Sequence, residues 1–445
     1  MPERLHRKKH LTSFQLILLG FAGVILTGTF LLMLPVSSAE RVVTPFREAL
    51  FTATSAVCVT GLAVVDTGSY WSFWGQLIIL MLIQIGGLGV VTVAVAVFML
   101  SGRKISIMQR STMQDAIAAP KIGGIVRLTR FILKGTFLIE TAGALLLLPV
   151  FIHDFGLQGI WRAVFHSISA FCNAGFDILG VPEKRFVSLT GYAENGLVNL
   201  VIMGLIIVGG IGFHTWGDIC ENQFRFKRYH MQSKVILVLT IVLIFFPALL
   251  FWKYDYSGLP MDKRIFAALF QSVTTRTAGF NTMDLSGMTE ASNVVMILLM
   301  LIGGAPGSTA GGMKTTTFMV LILNAIATCR GRENVEVFGR RMDPMVIKNA
   351  ATIAVLYFSL FFCGGIVISL YEKLPVLSCL FEAASAIGTV GLTLGLTPGL
   401  HGFSQCILIV LMYFGRVGIM TLIYAVFVGK HTQNAKFPLE KIMVG

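Results

Sequence analysis

Four short stretches of this 445-residue chain end alike: ALFTATSAVCVTGL (Ala49 to Leu62), AVFHSISAFCNAGF (Ala163 to Phe176), ALFQSVTTRTAGF (Ala268 to Phe280) and CLFEAASAIGTVGL (Cys379 to Leu392). Each begins with a Phe-bearing amphipathic turn and closes in a short extended stretch on a glycine. Those glycines, Gly61, Gly175, Gly279 and Gly391, lie 114, 104 and 112 positions apart. Phe51 to Gly61, Phe165 to Gly175 and Phe381 to Gly391 each span ten positions and Phe270 to Gly279 spans nine, so the third helix is one residue shorter. The chemistry available here belongs to the backbone. Carbonyls of Val59, Thr60 and Gly61, of Asn173, Ala174 and Gly175, of Thr277, Ala278 and Gly279, and of Thr389, Val390 and Gly391 can replace the hydration shell of a bare cation. The preceding short helices would aim their negative C-terminal dipole ends at it. Glycine suits the mouth of such a ring because it reaches backbone conformations closed to other residues. Side chains differ among the four copies, so only the main chain can be quasi-fourfold. An oxygen-lined site of this kind suits a hard alkali cation.

A second glycine cluster follows each filter glycine. Gly86-Gly87-Leu88-Gly89 and Gly209-Gly210-Ile211-Gly212 read as close-packing positions within a membrane helix. The third cluster is Gly303, Gly304, Ala305, Pro306, Gly307, Ser308, Thr309, Ala310, Gly311 and Gly312, followed by Met313 and Lys314. Five glycines and a proline cannot maintain a helix, so this stretch must be unwound and lie inside protein or beside water. Its spacing places it under the filter as an intramembrane gate, with a flexible packing loop as the alternative. In the fourth cluster Arg416 occupies the register of Gly87, Gly210 and Gly304. A charge at that depth costs about 2.5 to 3.5 kcal/mol, so it should face the pore or a carboxylate. The alternative is an arginine snorkelling to the cytoplasm, which the apolar run from Gly418 to Val428 makes less natural.

Other charges carry weaker messages. Glu140, in mid-span, is either an ion or proton relay or a structural hydrogen-bonding group. Arg276 and Glu382 lie in re-entrant segments and could brace the filter as a pair. Asp66, Asp177 and Asp284 follow filter glycines and either concentrate cations at the outer mouth or are ordinary solvated loop charges. Gly307 to Lys314, GSTAGGMK, imitates a phosphate loop, but Met313 intrudes before the lysine and no strand precedes it. No HExxH, GxSxG or paired CxxC occurs, so the sequence offers no enzyme chemistry. The seven cysteines are scattered and odd in number, against a disulfide framework or zinc site.

These groups need a membrane scaffold. The chain is 55% apolar and 13% charged, about half the charge of a soluble domain, with a mean hydropathy of +0.79. Both a cytosolic globule and a disordered chain are excluded. Apolar runs at Phe14 to Leu34, Trp74 to Leu100, Phe131 to Ile152, Gly196 to Trp216, Val235 to Trp252, Asn293 to Ala327, Met345 to Leu370 and Phe403 to Val428 predict eight crossings, the first retained and not cleaved as a signal peptide. The formal charge of +13 resides in alternate loops and at both ends. That pattern predicts cytoplasmic termini and no nucleic-acid face. The expected fold is an all-α membrane protein of four tandem M1–pore helix–M2 repeats, with eight transmembrane helices and four re-entrant pore helices about a central pseudo-fourfold pore. The repeats fall at 1–102, 103–222, 223–333 (with the gate at 303–317) and 334–430, and a cytoplasmic tail covers 431–445. Equal-handed copies contradict the inverted halves of the competing reading, a sodium-coupled secondary transporter of a small solute. A non-conducting scaffold would leave the four filter turns without a reason.

From Phe14 to about Val428 this pattern resembles the Trk, Ktr and HKT superfamily of potassium transporters, and most closely the membrane subunit of its Ktr branch. The resemblance implies potassium uptake across the cell membrane, sodium dependence as in some Ktr systems, and gating by the segment matching Gly303 to Gly312. A Ser in place of the first filter glycine is associated there with sodium permeation, and Gly61 matches the potassium-selective pattern. It also implies a homodimer in membrane lipid and a cytoplasmic, nucleotide-binding regulatory partner, an octameric ring of the KtrA kind. Thr389, Val390 and Gly391 keep the core of the TVGYG filter of tetrameric potassium channels; the other three segments do not.

Overall fold

The computed structural model describes residues 12–100, 112, 114, 124–223, 225–427, 438 and 440. The basic clusters expected at the N-terminus, in the loop after Leu100 and in the C-terminal tail lie wholly or largely outside the described residues. In chain order the helices begin with α1 (Ser13–Met33), α2 (Phe46–Val57), α3 (Thr67–Tyr70), α4 (Phe73–Leu88) and α5 (Val90–Leu100). They continue with α6 (Ile125–Phe155), α7 (Gln158–Phe171), α8 (Gly196–Gly210), α9 (Phe213–Asn222), α10 (Met231–Tyr254), α11 (Met261–Thr274), α12 (Glu290–Leu301) and α13 (Thr315–Cys329). A small hairpin, β1 (Glu336–Val337) with β2 (Arg340–Arg341), leads to α14 (Pro344–Glu372), α15 (Val376–Ile387), α16 (Gly402–Val417) and α17 (Ile419–Phe427).

Helices α1, α6, α10 and α14 are each long and apolar enough to cross a membrane. They leave large apolar side chains uncovered, among them Phe30, Phe137, Phe245, Phe246 and Val355. Such faces belong against lipid or against another chain. The shorter helices α2, α7, α11 and α15 are buried over most of their length. Pro45, Pro260 and Pro375 cap α2, α11 and α15, where a missing N–H leaves no helical bond unmade. Each short helix packs mainly on the long one before it.

The expected second crossings differ from the sequence reading. Trp74 to Leu100, Gly196 to Trp216 and Phe403 to Val428 are not straight spans: α4 and α5 meet at 97°, α8 and α9 at 97°, and α16 and α17 at 88°. The hinges are Gly89, Gly212 and Gly418, at φ of 86°, 89° and 89°, a region only glycine enters freely. The glycine clusters therefore break the chain and also pack it, because a Cβ on Gly86, Gly209 or Gly415 would collide with the carbonyl of Val57, Phe171 or Ile387 at the end of a short helix. Between α12 and α13, the expected span Asn293 to Ala327 is interrupted by a non-helical stretch of thirteen residues, 302 to 314.

Candidate functional site

The four glycine turns meet. A Cβ built on Gly175 would stand 2.6 Å from the Ala278 carbonyl oxygen and 2.9 Å from Gly279 Cα. One on Gly61 would strike the Ala174 carbonyl, one on Gly279 the Val390 carbonyl, and one on Gly391 the Thr60 carbonyl. The order 61, 175, 279, 391 and back to 61 closes a ring. Val59, Asn173, Thr277 and Thr389 have φ of 57°, 57°, 68° and 51°, and the glycines two positions later 88°, 67°, 84° and 93°. In an ordinary strand successive carbonyls face opposite ways; left-handed residues at alternate positions turn them to one side.

The turns are held alike. Thr60, Ala174 and Val390 donate their N–H to the carbonyls of Ser55, Ser169 and Ser385, each at 2.8 Å and five residues back. Ala278 donates to Thr274, four residues back at 2.9 Å, as the shorter third helix requires. The hydroxyls at these positions add a brace that the sequence reading missed: Ser169 Oγ donates to the Phe176 carbonyl at 2.7 Å, Thr274 Oγ1 to that of Phe280 at 2.5 Å, and Ser385 Oγ accepts from Gly391 N at 3.0 Å. A hydroxyl residue six positions before three of the glycines, and five before Gly279, was the available signal.

The stretch from Gly303 to Lys314 folds against this ring. Gly303 N donates to the Met313 carbonyl (2.7 Å) and Thr315 N to that of Gly304 (3.1 Å), closing the loop on itself. Other backbone groups of the loop meet those released by two of the bends: Ala305 N donates to Gly210 O (2.9 Å), Thr309 N to Gly209 O (3.3 Å), Phe213 N to Gly307 O (2.7 Å), and Gly312 N to Gly415 O (3.1 Å). Irregular backbone at this depth is thus satisfied by other irregular backbone. Thr309 Oγ1 reaches the Phe171 carbonyl at 3.0 Å, and Gly311 leaves no room for a Cβ beside the Thr389 side chain.

Arg416 faces this loop. Its guanidinium donates to the carbonyls of Thr309, Gly86 and Gly87, the last at 3.0 Å. Lys314 Nζ donates to the Ala310 carbonyl at 2.9 Å. Both cations line a cavity of about 270 Å³ together with Pro306, Ser308 and the hinges Gly89 and Gly418. Of the two partners the sequence suggested, a pore or a carboxylate, Arg416 meets no carboxylate among the described residues, and the apolar run after Gly418 turns away at 88° and does not continue the span.

Other expectations change too. Arg276 and Glu382 form no ion pair among the described residues. Glu382, fully buried, accepts from Thr393 Oγ1 (2.6 Å), Leu394 N (3.0 Å) and Thr397 Oγ1 (2.5 Å), so it braces the descending limb of its own segment. Arg276, 7% exposed, points instead at a small void beside Ile206, Gly210 and Gly304. Asp66, 5% exposed, caps α3 through Ser69 and accepts from Phe186 N at 2.7 Å; it is a structural group and not a mouth charge. Glu140 accepts from Gln84 Nε2 at 3.2 Å, the structural alternative. Asp177 is partly buried and accepts from Leu179 N at 3.1 Å. Burial pushes its carboxyl up to about 7, the Leu179 N–H pulls the other way, and the Asp66 charge adds to the rise. Asp284 is exposed, and hydrogen bonds from Ser286 hold its carboxyl below the usual range.

The family model described as "TrkH: Cation transport protein" matches residues 9–437. The chain is 40% identical to the potassium/sodium uptake protein NtpJ of Enterococcus hirae, covering 98% of each chain. It is 39% identical to the Ktr system potassium uptake protein B of Bacillus subtilis, over 98% of this chain and 97% of that one. The crystal structure of the potassium transporter TrkH from Vibrio parahaemolyticus superposes with a TM-score of 0.74 over 96% of this chain and 86% of that one; at 20% identity this likeness concerns the fold.

Proposed function

The chain belongs to the TrkH cation transport family, and from that premise we propose that it is the pore-forming subunit of a potassium uptake system. The observation that carries this reading is the closed ring of Gly61, Gly175, Gly279 and Gly391. Four copies of one unit, bounded as 1–102, 103–222, 223–333 and 334–430, stand about a common axis. The carbonyls of Val59 to Gly61, Asn173 to Gly175, Thr277 to Gly279 and Thr389 to Gly391 take the place of water around potassium. The names of the relatives, a potassium/sodium uptake protein and a Ktr system potassium uptake protein, support potassium as cargo, sodium as a second ion, and a system with further subunits. All these names describe transport, not enzymology.

The loop Gly303 to Lys314 is the gate, and Arg416 is its lock. An arginine about 8 Å from a permeating cation, at an effective dielectric near 20, opposes it by roughly 2 kcal/mol. Lys314 on the same cavity adds to that barrier. Arg416 also ties the third segment to the first, through Thr309 on one side and Gly86 and Gly87 on the other. Opening requires those three carbonyls to be released together, a task suited to a nucleotide-binding ring docked on the basic, cytoplasmic end of a homodimer. Rubidium flux into liposomes holding this chain alone, with and without sodium, tests the proposal. Uptake driven by membrane potential and blocked by excess potassium is expected; flux of a sodium-coupled solute with no rubidium flux would overturn it.

A further inference from the structure

Beside the cavity that holds Arg416, a second one of about 400 Å³ opens between the first turns of α10, α13 and α14. That volume lies in the range of small-ligand sites. Its wall is mainly apolar, with Val235, Met319, Val320 and Ile353 beside Thr316 and Asn349, and it carries Arg341 at the end of β2. Arg341 is exposed, next to the equally exposed Arg340, and neither has an ion-pair partner among the described residues. The one acid at the rim, Asp343, spends its carboxylate on the N–H of Met345 as the cap of α14.

Two features select the occupant. Helices α10 and α14 are both long and apolar enough to cross a membrane, and the cavity lies against their first turns, the end at which such helices enter a bilayer. An apolar pocket with arginine at its rim matches an acyl chain joined to an anionic phosphate. The cavity is also coupled to the gate by position. Thr317 and Ile353 line both this cavity and the one holding Lys314 and Arg416, and α13 starts directly after Lys314. A body filling the cavity presses on the helix into which the gate loop runs.

We propose that this cavity binds one anionic phospholipid of the adjacent leaflet, acyl chain inward and phosphate on Arg341, and that its occupancy sets the position of α13 and thereby the gate. The second half of this statement rests on the gating role proposed above; the first does not. Full-length protein in nanodiscs of phosphatidylcholine, with or without phosphatidylglycerol, would be studied by native mass spectrometry, and rubidium flux measured in liposomes of the same compositions. Expected is retention of phosphatidylglycerol over phosphatidylcholine, reduced about fivefold in Arg341→Gln and abolished in Thr316→Trp, which fills the cavity from α13. Rubidium flux through the wild type should differ at least twofold between the two lipid compositions, and Arg341→Gln should remove that difference. Arg341→Gln replaces an exposed side chain and reports even where the tryptophan variant does not fold. Equal retention of both lipids, unchanged retention in Arg341→Gln, or a second copy of the chain cross-linking across this face would overturn the site. Lipid selectivity without any change in flux would overturn the coupling alone, and absence of flux in every lipid would count against the pore and not against the site.

Discussion

The guanidinium of Arg416 donates to the carbonyl of Thr309, 107 positions earlier in the chain. Thr309 is the point at which the loop is held from three directions: its N–H on Gly209, its hydroxyl on Phe171, its carbonyl on Arg416. A single residue therefore links the end of the second short helix, a bend in α8–α9 and a charge in α16.

Arg416→Ala removes both the positive charge and the clamp. Rubidium flux without any regulatory subunit should rise about tenfold, the equivalent of roughly 1.4 kcal/mol of barrier. Arg416→Lys keeps the charge but cannot reach Thr309, Gly86 and Gly87 at once, so its flux should fall between the two. Flux identical to wild type in both variants would remove Arg416 from the mechanism.

Gly61→Ser puts a side chain against the Ala174 carbonyl at a residue with φ of 88°. The ring should widen at that corner, and sodium should permeate at the expense of potassium discrimination. Gly175→Ala, with 2.6 Å between its new Cβ and Ala278 O, should lose most of its flux, since left-handed strain alone costs about 1 to 2 kcal/mol. Both are read from rubidium and sodium tracer uptake; unaltered sodium permeability in Gly61→Ser would contradict the ring.

Asp177 carries the pH dependence. Burial pushes its carboxyl up to about 7, so it should be largely neutral below that value and negative above it. A negative group two positions past Gly175 attracts cations, and uptake should increase about twofold as external pH rises from 6 to 8. Asp177→Asn should flatten the profile at the low-pH level. A variant that keeps the wild-type slope would assign the titration elsewhere.

Arg276 and Glu382 act apart. Glu382→Gln weakens three hydrogen bonds to a buried carboxylate and should cost about 2 kcal/mol of stability, visible in thermal unfolding in detergent. Arg276→Gln should leave potassium selectivity intact and instead change basal flux, because its side chain lies beside Gly304. The stability changes of the two single variants, both measured by thermal unfolding, should add in the double variant to within about 0.5 kcal/mol; strong coupling would restore the pairing read from the sequence.

The residues that form the ring were legible because a backbone site needs spacing and glycine, both of which survive in a bare sequence. The unwound stretch at Gly303 to Gly312 was legible for the same reason, since no helix tolerates that composition. The bends at Gly89, Gly212 and Gly418 were not, because a glycine cluster inside an apolar run fits close packing as well as a break, and only φ separates them. Arg276 and Glu382 sit in matching segments, but the direction a side chain takes from a short buried helix depends on neighbours more than 100 positions away. Asp66 was misread for a related cause: its partner Phe186 lies 120 positions on.

The third short helix, one residue briefer than the others, reaches back four residues where they reach five. In an assembly of identical chains such a deletion would strike every side of the channel at once. Here each of the four turns lies on its own stretch of one polypeptide, so the third could lose a residue and be followed by the non-helical stretch 302 to 314 while the other three kept their five-residue reach. A ring written into one chain can therefore be altered on one side without being altered on all.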